Sequence, residues 1–273
     1  MLWRYLCLGI ICIASTIASA TPPCARSNSI SQTAKNDREL LRMLSAAREG
    51  DREAQFRAGL NYETGCGVSK DFAQAAQWYR KAADNGYAVA QNNLGRLYLE
   101  GLGVVQSDAE AMKWYLRAAS EGFAPAQNNV GYMYETGRAG RNTAASSSSD
   151  KEAVKWYRKA AESGSAAAEL NLGLAYFNGV GVRQDLTEAV KWFRKAAGHG
   201  SGAACDQLGR AYQNGAGVPR DDHIAANWYQ AAISSGYLQA EQDLASLNPV
   251  AHRGATDVGT IRVRRPPGPE IPF

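Results

Sequence analysis

Histidine and cysteine are scarce in this chain, with three His and five Cys among 273 residues. His199, His223 and His252 lie far apart, without the i,i+4 or Cys/His spacing of a metal site. No metal, no cofactor and no catalytic set is therefore expected, and the chain does not read as an enzyme. A surplus of one charge is also missing, since 30 Lys+Arg face 26 Asp+Glu. Nucleic-acid binding normally demands a concentrated basic excess, so no nucleic acid is expected as partner. With 45% hydrophobic and 21% charged residues, the composition excludes both a multi-span membrane protein and a mostly disordered chain.

The longest apolar stretch opens the chain. Arg4, the run from Tyr5 to Ile17, and Ala18-Ser19-Ala20 follow the order of a secretory signal: charge, apolar core, small-x-small cleavage site. Cleavage after Ala20 is expected, because Thr21-Pro22-Pro23 cannot continue a helix. An uncleaved anchor is the other reading, since Leu2 to Ala20 is just long enough to span a bilayer. The expectation is an exported protein, periplasmic or secreted, with residues 1–20 removed and no integral membrane span left. Residues 21–37 read as a flexible lead. Residues 248–273, rich in Pro and Arg, read as a disordered tail.

Between these ends the chain repeats itself. Trp78, Trp114, Trp156, Trp192 and Trp228 are spaced by 36, 42, 36 and 36 residues. Gly86, Gly122, Gly164, Gly200 and Gly236 keep the same spacing, as do Ala90, Ala126, Ala168, Ala204 and Ala240. Each unit reads as two helices. Asp71, Ser107, Ser149, Asp185 and Asp221 stand seven residues before the Trp as N-caps, and Gln74, Glu110, Glu152 and Glu188 follow three later, the arrangement of a capping box. Ala111, Trp114, Tyr115 and Ala118 then form one apolar stripe at helical spacing, and a stop is expected at Gly122. The other helix runs from about Ala90 to Glu100. Its mid-helix Gly95, like Gly59, Gly131, Gly173 and Gly209, costs roughly 1 kcal/mol against alanine, so a close approach beneath a neighbouring Trp is expected there.

The pattern A-x₂-W-Y-x₂-A-A-x₂-G-x₃-A-x₃-L-G-x₂-Y-x₂-G-x-G-V is carried by Ala75, Trp78-Tyr79, Ala82-Ala83, Gly86, Ala90, Leu94-Gly95, Tyr98 and Gly101-Leu102-Gly103-Val104. It resembles the Sel1-like repeat, a relative of the tetratricopeptide repeat. Phe193 stands in place of the Tyr after Trp192, Ile233 replaces the second Ala, and the third unit lacks its G-x-G-V. The resemblance implies an all-α fold, a right-handed α-solenoid of two-helix repeats that binds other proteins. About five Sel1-like units occupy 51–236, with an insert at 138–149 and capping helices at 38–50 and 237–247. The physics agrees: a two-helix unit cannot bury its apolar face alone, so neighbours stack into an extended array.

Two surface features are candidates for partner binding. Asn93, Asn129, Asn171 and Gln207 share one repeat position and could clamp the backbone of an extended peptide, because a carboxamide both donates and accepts. The alternative is that these amides bond within the array. The second feature is a cationic stripe next to the Trp residues: Lys113 and Arg117, then Lys155, Arg158 and Lys159, then Lys191, Arg194 and Lys195, preceded by Arg80 and Lys81. It could meet an acidic protein or an anionic envelope polymer. Equally, these cations complement helix dipoles and pair locally with Glu110, Glu152 and Glu188.

Two further motifs carry less. Cys66 and Cys205 lie four units apart, on the order of 40 Å at about 10 Å per helix layer, too far for a disulfide within one array; Cys24 could reach Cys66 or another molecule. Ser148 to Lys151 matches the S-x-x-K of penicillin-recognising enzymes, yet no S-D-N or K-T-G follows. The expected function is a non-enzymatic adaptor of the cell envelope that docks a partner along the repeats. An anionic-glycan contact is the second reading and β-lactam modification a distant third.

Overall fold

A computed structural model describes residues 30–139 and 147–247. The expected signal segment, the lead up to residue 29, residues 140–146 of the insert and the tail 248–273 lie outside the described residues. Those described form twelve helices and no strand. They are α1 (Ile30–Glu49), α2 (Arg52–Thr64), α3 (Phe72–Asp84), α4 (Ala88–Glu100), α5 (Asp108–Ser120), α6 (Ala124–Glu135), α7 (Ser147–Glu162), α8 (Ala166–Asn178), α9 (Leu186–Gly198), α10 (Gly202–Asn214), α11 (Asp222–Ser234) and α12 (Ala240–Leu247). Each helix packs on its neighbours in sequence, giving an all-α solenoid. Helix α1 begins at Ile30, inside the stretch expected as a lead.

Capping follows the sequence with one difference. Side chains of Asp71, Ser107, Asp185 and Asp221 accept from the N–H groups of Gln74, Glu110, Glu188 and Ile224. The return half of the box is not made by the acidic side chains. The N–H of each cap residue instead donates to the carbonyl of Tyr62, Tyr98, Tyr176 or Tyr212 at 2.8–2.9 Å. The cap thus fastens each helix to the end of the one before it. Ser149 does not cap: α7 starts at Ser147, so Ser149 is a buried residue of its first turn. The insert ahead of α7 replaces the short loop that fixes the other starts.

The core is a file of aromatic rings lying on glycines. A Cβ at Gly59, Gly95, Gly131, Gly173 or Gly209 would come within 2.5–2.8 Å of the ring of Tyr79, Tyr115, Tyr157, Phe193 or Tyr229. The ring on the glycine is therefore the residue after the Trp, not the Trp itself as the sequence suggested. These five rings are almost wholly buried, whereas most of the Trp side chains are only half-buried. A small residue is required because the helix backbone meets a ring face with no room for a methyl. The hydroxyl beyond the ring has a matched acceptor in three units, while Tyr115 has Leu99 at the equivalent position. Tyr79 donates to Glu63, Tyr157 to Glu135 and Tyr229 to Gln213, at 2.6–2.7 Å. Phe193 has no hydroxyl, and the equivalent position is Phe177, whose ring lies 6.4 Å away.

Successive units are joined by the second glycine of G-x-G-V. At Gly103, Gly181 and Gly217 a Cβ would fall 2.2–2.3 Å from backbone atoms of Phe72, Asp150 and Leu186, at the start of the Trp helix one unit earlier. The third unit lacks this glycine and uses a side chain instead. Arg138 donates through Nε and Nη2 to Asp108 at 2.9 and 2.6 Å and reaches the Leu99 carbonyl at 3.1 Å. Cys205 is a free, buried thiol, so it does not pair with Cys66, which is disulfide-bonded.

Gly95→Ala should lower stability by about 1–2 kcal/mol despite the gain in helix propensity, since overpacking costs more than the propensity returns. Gly198→Ala, where a Cβ meets nothing within 4 Å, should instead raise stability by a few tenths of a kcal/mol, up to about 1. Thermal melts of both variants test the pair.

Candidate functional site

The even-numbered helices form an inner row in which side chains of successive units meet. Asn129 on α6 donates to Asn92 on α4 at 2.8 Å, and Asn171 on α8 donates to Asn128 on α6 at 3.0 Å. Asn93 lies beside the Tyr79 hydroxyl. Gln207 is half-buried at the same repeat position on α10. Two of the four candidate amides thus spend a donor on the preceding unit, which keeps each carboxamide oriented and half-buried. The neighbouring glutamines do the same for the helix behind. Gln55, Gln91 and Gln127 donate to the carbonyls of Ala47, Ala83 and Ala119 at 3.1–3.3 Å.

The cationic stripe runs along α3, α5, α7 and α9 and resolves into three rows. Lysines before the Trp pair with the acid three residues back: Lys113 with Glu110, Lys155 with Glu152 and Lys191 with Glu188, at 3.3, 2.5 and 2.8 Å. Glu188 holds the Lys191 ammonium above its ordinary value. Arginines two after the Trp donate to a tyrosine hydroxyl of the next helix, Arg80 to Tyr98, Arg158 to Tyr176 and Arg194 to Tyr212. Cations three after the Trp lie over its ring: Lys81, Arg117, Lys159 and Lys195 stand 4.0–4.7 Å from the indoles of Trp78, Trp114, Trp156 and Trp192. The first row is neutralised by its partner, and in the third row Arg117 also meets Asp84 at 3.7 Å. The other members of the second and third rows bond to neutral groups, so they are held in place while keeping their charge. The stripe stops at α11, where Asn227, Gln230 and Ala231 occupy the three positions.

The Sel1 repeat family model matches residues 52–87, 88–123, 124–165, 166–201 and 202–237, one match for each helix pair. The chain belongs to the Sel1 repeat family. Sel1 repeats are typically non-catalytic scaffolds that mediate protein–protein interaction. Among solved structures, a Sel1 repeat protein from Oxalobacter formigenes is 33% identical, with a TM-score of 0.71 over 82% of this chain and 87% of that one. A protective antigen of uropathogenic Escherichia coli is 38% identical, with a TM-score of 0.68 over 78% of this chain. This Sel1 repeat chain spans only 44% of that antigen's length. An immunity protein from Pseudomonas aeruginosa, 20% identical with a TM-score of 0.50 over 82% of this chain and 86% of that one, shares the fold. A comparison with curated proteins returns no match.

Ser148 and Lys151 are both exposed on the first turn of α7, so no water-excluded site surrounds them. Among the described residues no group of His, Cys, Asp and Glu is placed to hold a metal ion. Glu169, 2% exposed, meets the Nδ1 of His199 at 2.7 Å. This pair replaces the amide pair Gln55–Asn85 of the first unit, where the same repeat positions meet at 3.1 Å.

At the C-terminal end Asp206 is fully buried, with the Arg210 Nε at 3.1 Å and Arg210 in turn held by Asp243 at 2.7 Å. The sequence reading missed this cluster, as it missed the Arg-to-Tyr bonds. A signal was present for the latter, since each tyrosine stands 18 residues after its arginine. Burial, opposed by Arg210 and reinforced by Asp243, pushes the Asp206 carboxyl up to about 6. Its proton is therefore held more tightly in the folded state than in the unfolded one, and stability should fall as pH rises from about 4 to 6. Asp206→Asn should flatten that slope and gain on the order of 1–2 kcal/mol at pH 7. Denaturant titrations of both proteins across this pH range check the sign.

Proposed function

We propose that this chain is an exported, non-enzymatic adaptor of the periplasm or cell envelope, which docks a partner protein along its repeat surface. The observation that carries the reading is the state of the second and third cation rows. Arg158, Lys159, Arg194 and Lys195 are exposed, fixed by neutral Tyr and Trp partners, and left with their charge available. Side chains held in one geometry lose less entropy on binding than free ones. The inner amides Asn93, Asn129, Asn171 and Gln207 offer a second surface, in which Asn129 and Asn171 are already oriented by bonds within the array. Export is supported by the signal-like order of residues 1–20 and by the disulfide at Cys66, a bond that persists in oxidising compartments. A contact with anionic glycan is the second reading, supported by the periodic spacing of the stripe.

Native co-purification of the tagged protein from its own envelope fraction, with elution by rising salt, tests the adaptor reading. A stoichiometric protein partner that survives moderate salt is the expected result. Recovery of glycan or lipid alone, lost as salt rises, would overturn it.

A further inference from the structure

The stripe is not uniform along the array. Beside α7 it borders a groove of about 540 Å³ lined by Lys151, Val154, Lys155, Arg158, Lys159, Glu162 and the loop residues Gly181 and Val182. Four of these side chains are cationic and one is acidic. Lys151 is particular to this unit: the equivalent positions are Ala73, Ala109, Thr187 and His223. On α5 the arginine row is interrupted by Leu116, and on α11 all three rows end. The positive face is thus deepest on α7 and continues onto α9.

The groove owes its wall to the units' joint. Gly181 packs against the backbone of Asp150, which brings the 180–182 loop alongside α7 and sets Val182 across from Val154. The Arg158 guanidinium, bonded to Tyr176, spans the two walls. The result is an aliphatic floor with cations above it. Such a floor suits an aliphatic side chain, and the cations suit carboxylates on either side of it. A sugar ring would look instead for an open aromatic face, but Lys159 already covers Trp156 at 4.4 Å.

We propose that this groove is the docking site for an extended, acidic segment of a partner protein, with an aliphatic side chain on the Val154–Val182 floor and carboxylates against Lys151, Arg158 and Lys159. The inference deepens the adaptor reading and rests on it. From Lys151 to Glu162 the helix rises about 16 Å, the reach of about five extended residues. The segment is accordingly short, and alternation along it puts acidic and aliphatic side chains on opposite sides.

The probe is a fluorescent peptide of about six residues with alternating Glu and Leu, long enough for the groove, titrated into the purified full chain by anisotropy. Its counterpart with Gln for every Glu is the control peptide, and a sulfated polysaccharide is the competitor. The Glu peptide should bind at least about tenfold more tightly than the Gln peptide. Lys151→Glu with Lys159→Glu should remove about tenfold or more of that affinity, while Arg220→Glu, an exposed reversal far from the groove, leaves it unchanged. The replaced lysines are exposed, so an unaltered melt confirms that the doubly reversed protein folds. Equal binding of the two peptides, or a loss of affinity with Arg220→Glu equal to that of the lysine reversals, overturns the proposal. So does a polysaccharide that binds the groove in a lysine-dependent way while the Glu peptide does not. The two readings fail separately. A native partner recovered equally by the wild type and the lysine variant leaves the adaptor standing and removes the groove. Peptide binding with no native protein partner does the reverse.

Discussion

A buried aromatic ring on a glycine holds each repeat together. Five times in the array the ring of the residue after the Trp lies against a helix backbone that has no side chain to offer. The contact is close because one side has given up a Cβ, and it is rigid because the other side is planar. Everything else in a unit is placed by it. The Trp is turned to the edge of the helix pair, in three units the hydroxyl of the ring reaches a specific acceptor, and in three the next unit's loop meets the helix start at backbone distance. Glycine's cost in helix propensity is offset by this packing, which alanine cannot match.

The surface follows from the core. With the ring directed inward, the indole stands half-buried in all units but that of Trp114, which is buried, and in four units it is a platform for a cation one turn later. The arginine beside it faces the next helix and finds the tyrosine hydroxyl there. The charges that look like a solvated face are therefore part of a regular lattice of Lys–Glu, Arg–Tyr and cation–indole contacts. Exposed pairs of this kind contribute little stability individually, about 0–1 kcal/mol. Their consequence is geometric, since they hold positive charge at fixed intervals along the array.

Irregular units reveal how the scaffold tolerates change. Where the joining glycine is absent, Arg138 makes an equivalent bridge to Asp108. Where the tyrosine hydroxyl is absent at Phe193, its acceptor is replaced by Phe177. The Gln55–Asn85 amide pair of one unit becomes Glu169–His199 in another. Elsewhere one member changes alone: Gln91 and Gln127 are kept while the partner position is Glu121 and Ser163, and Tyr115 is kept while its acceptor position is Leu99.

The sequence by itself determined the repeat, the helix pairs and their caps, because glycine, tryptophan and capping residues are local requirements that recur at fixed spacing. Its periodicity put Asn129, Asn171 and the cations at recurring positions of the array. It could not say that Tyr115 rather than Trp114 lies on Gly95: both residues point to the same half of the helix, and only the neighbouring helix distinguishes them. Nor could it pair Arg158 with Tyr176, or collect Asp206, Arg210 and Asp243 at one end, since these partners meet across units whose relative placement no local rule sets. The groove beside α7 exists only in three dimensions. Its lysines are on one helix, its valine wall is a loop from the next unit, and the close backbone contact at Gly181 is what brings them together.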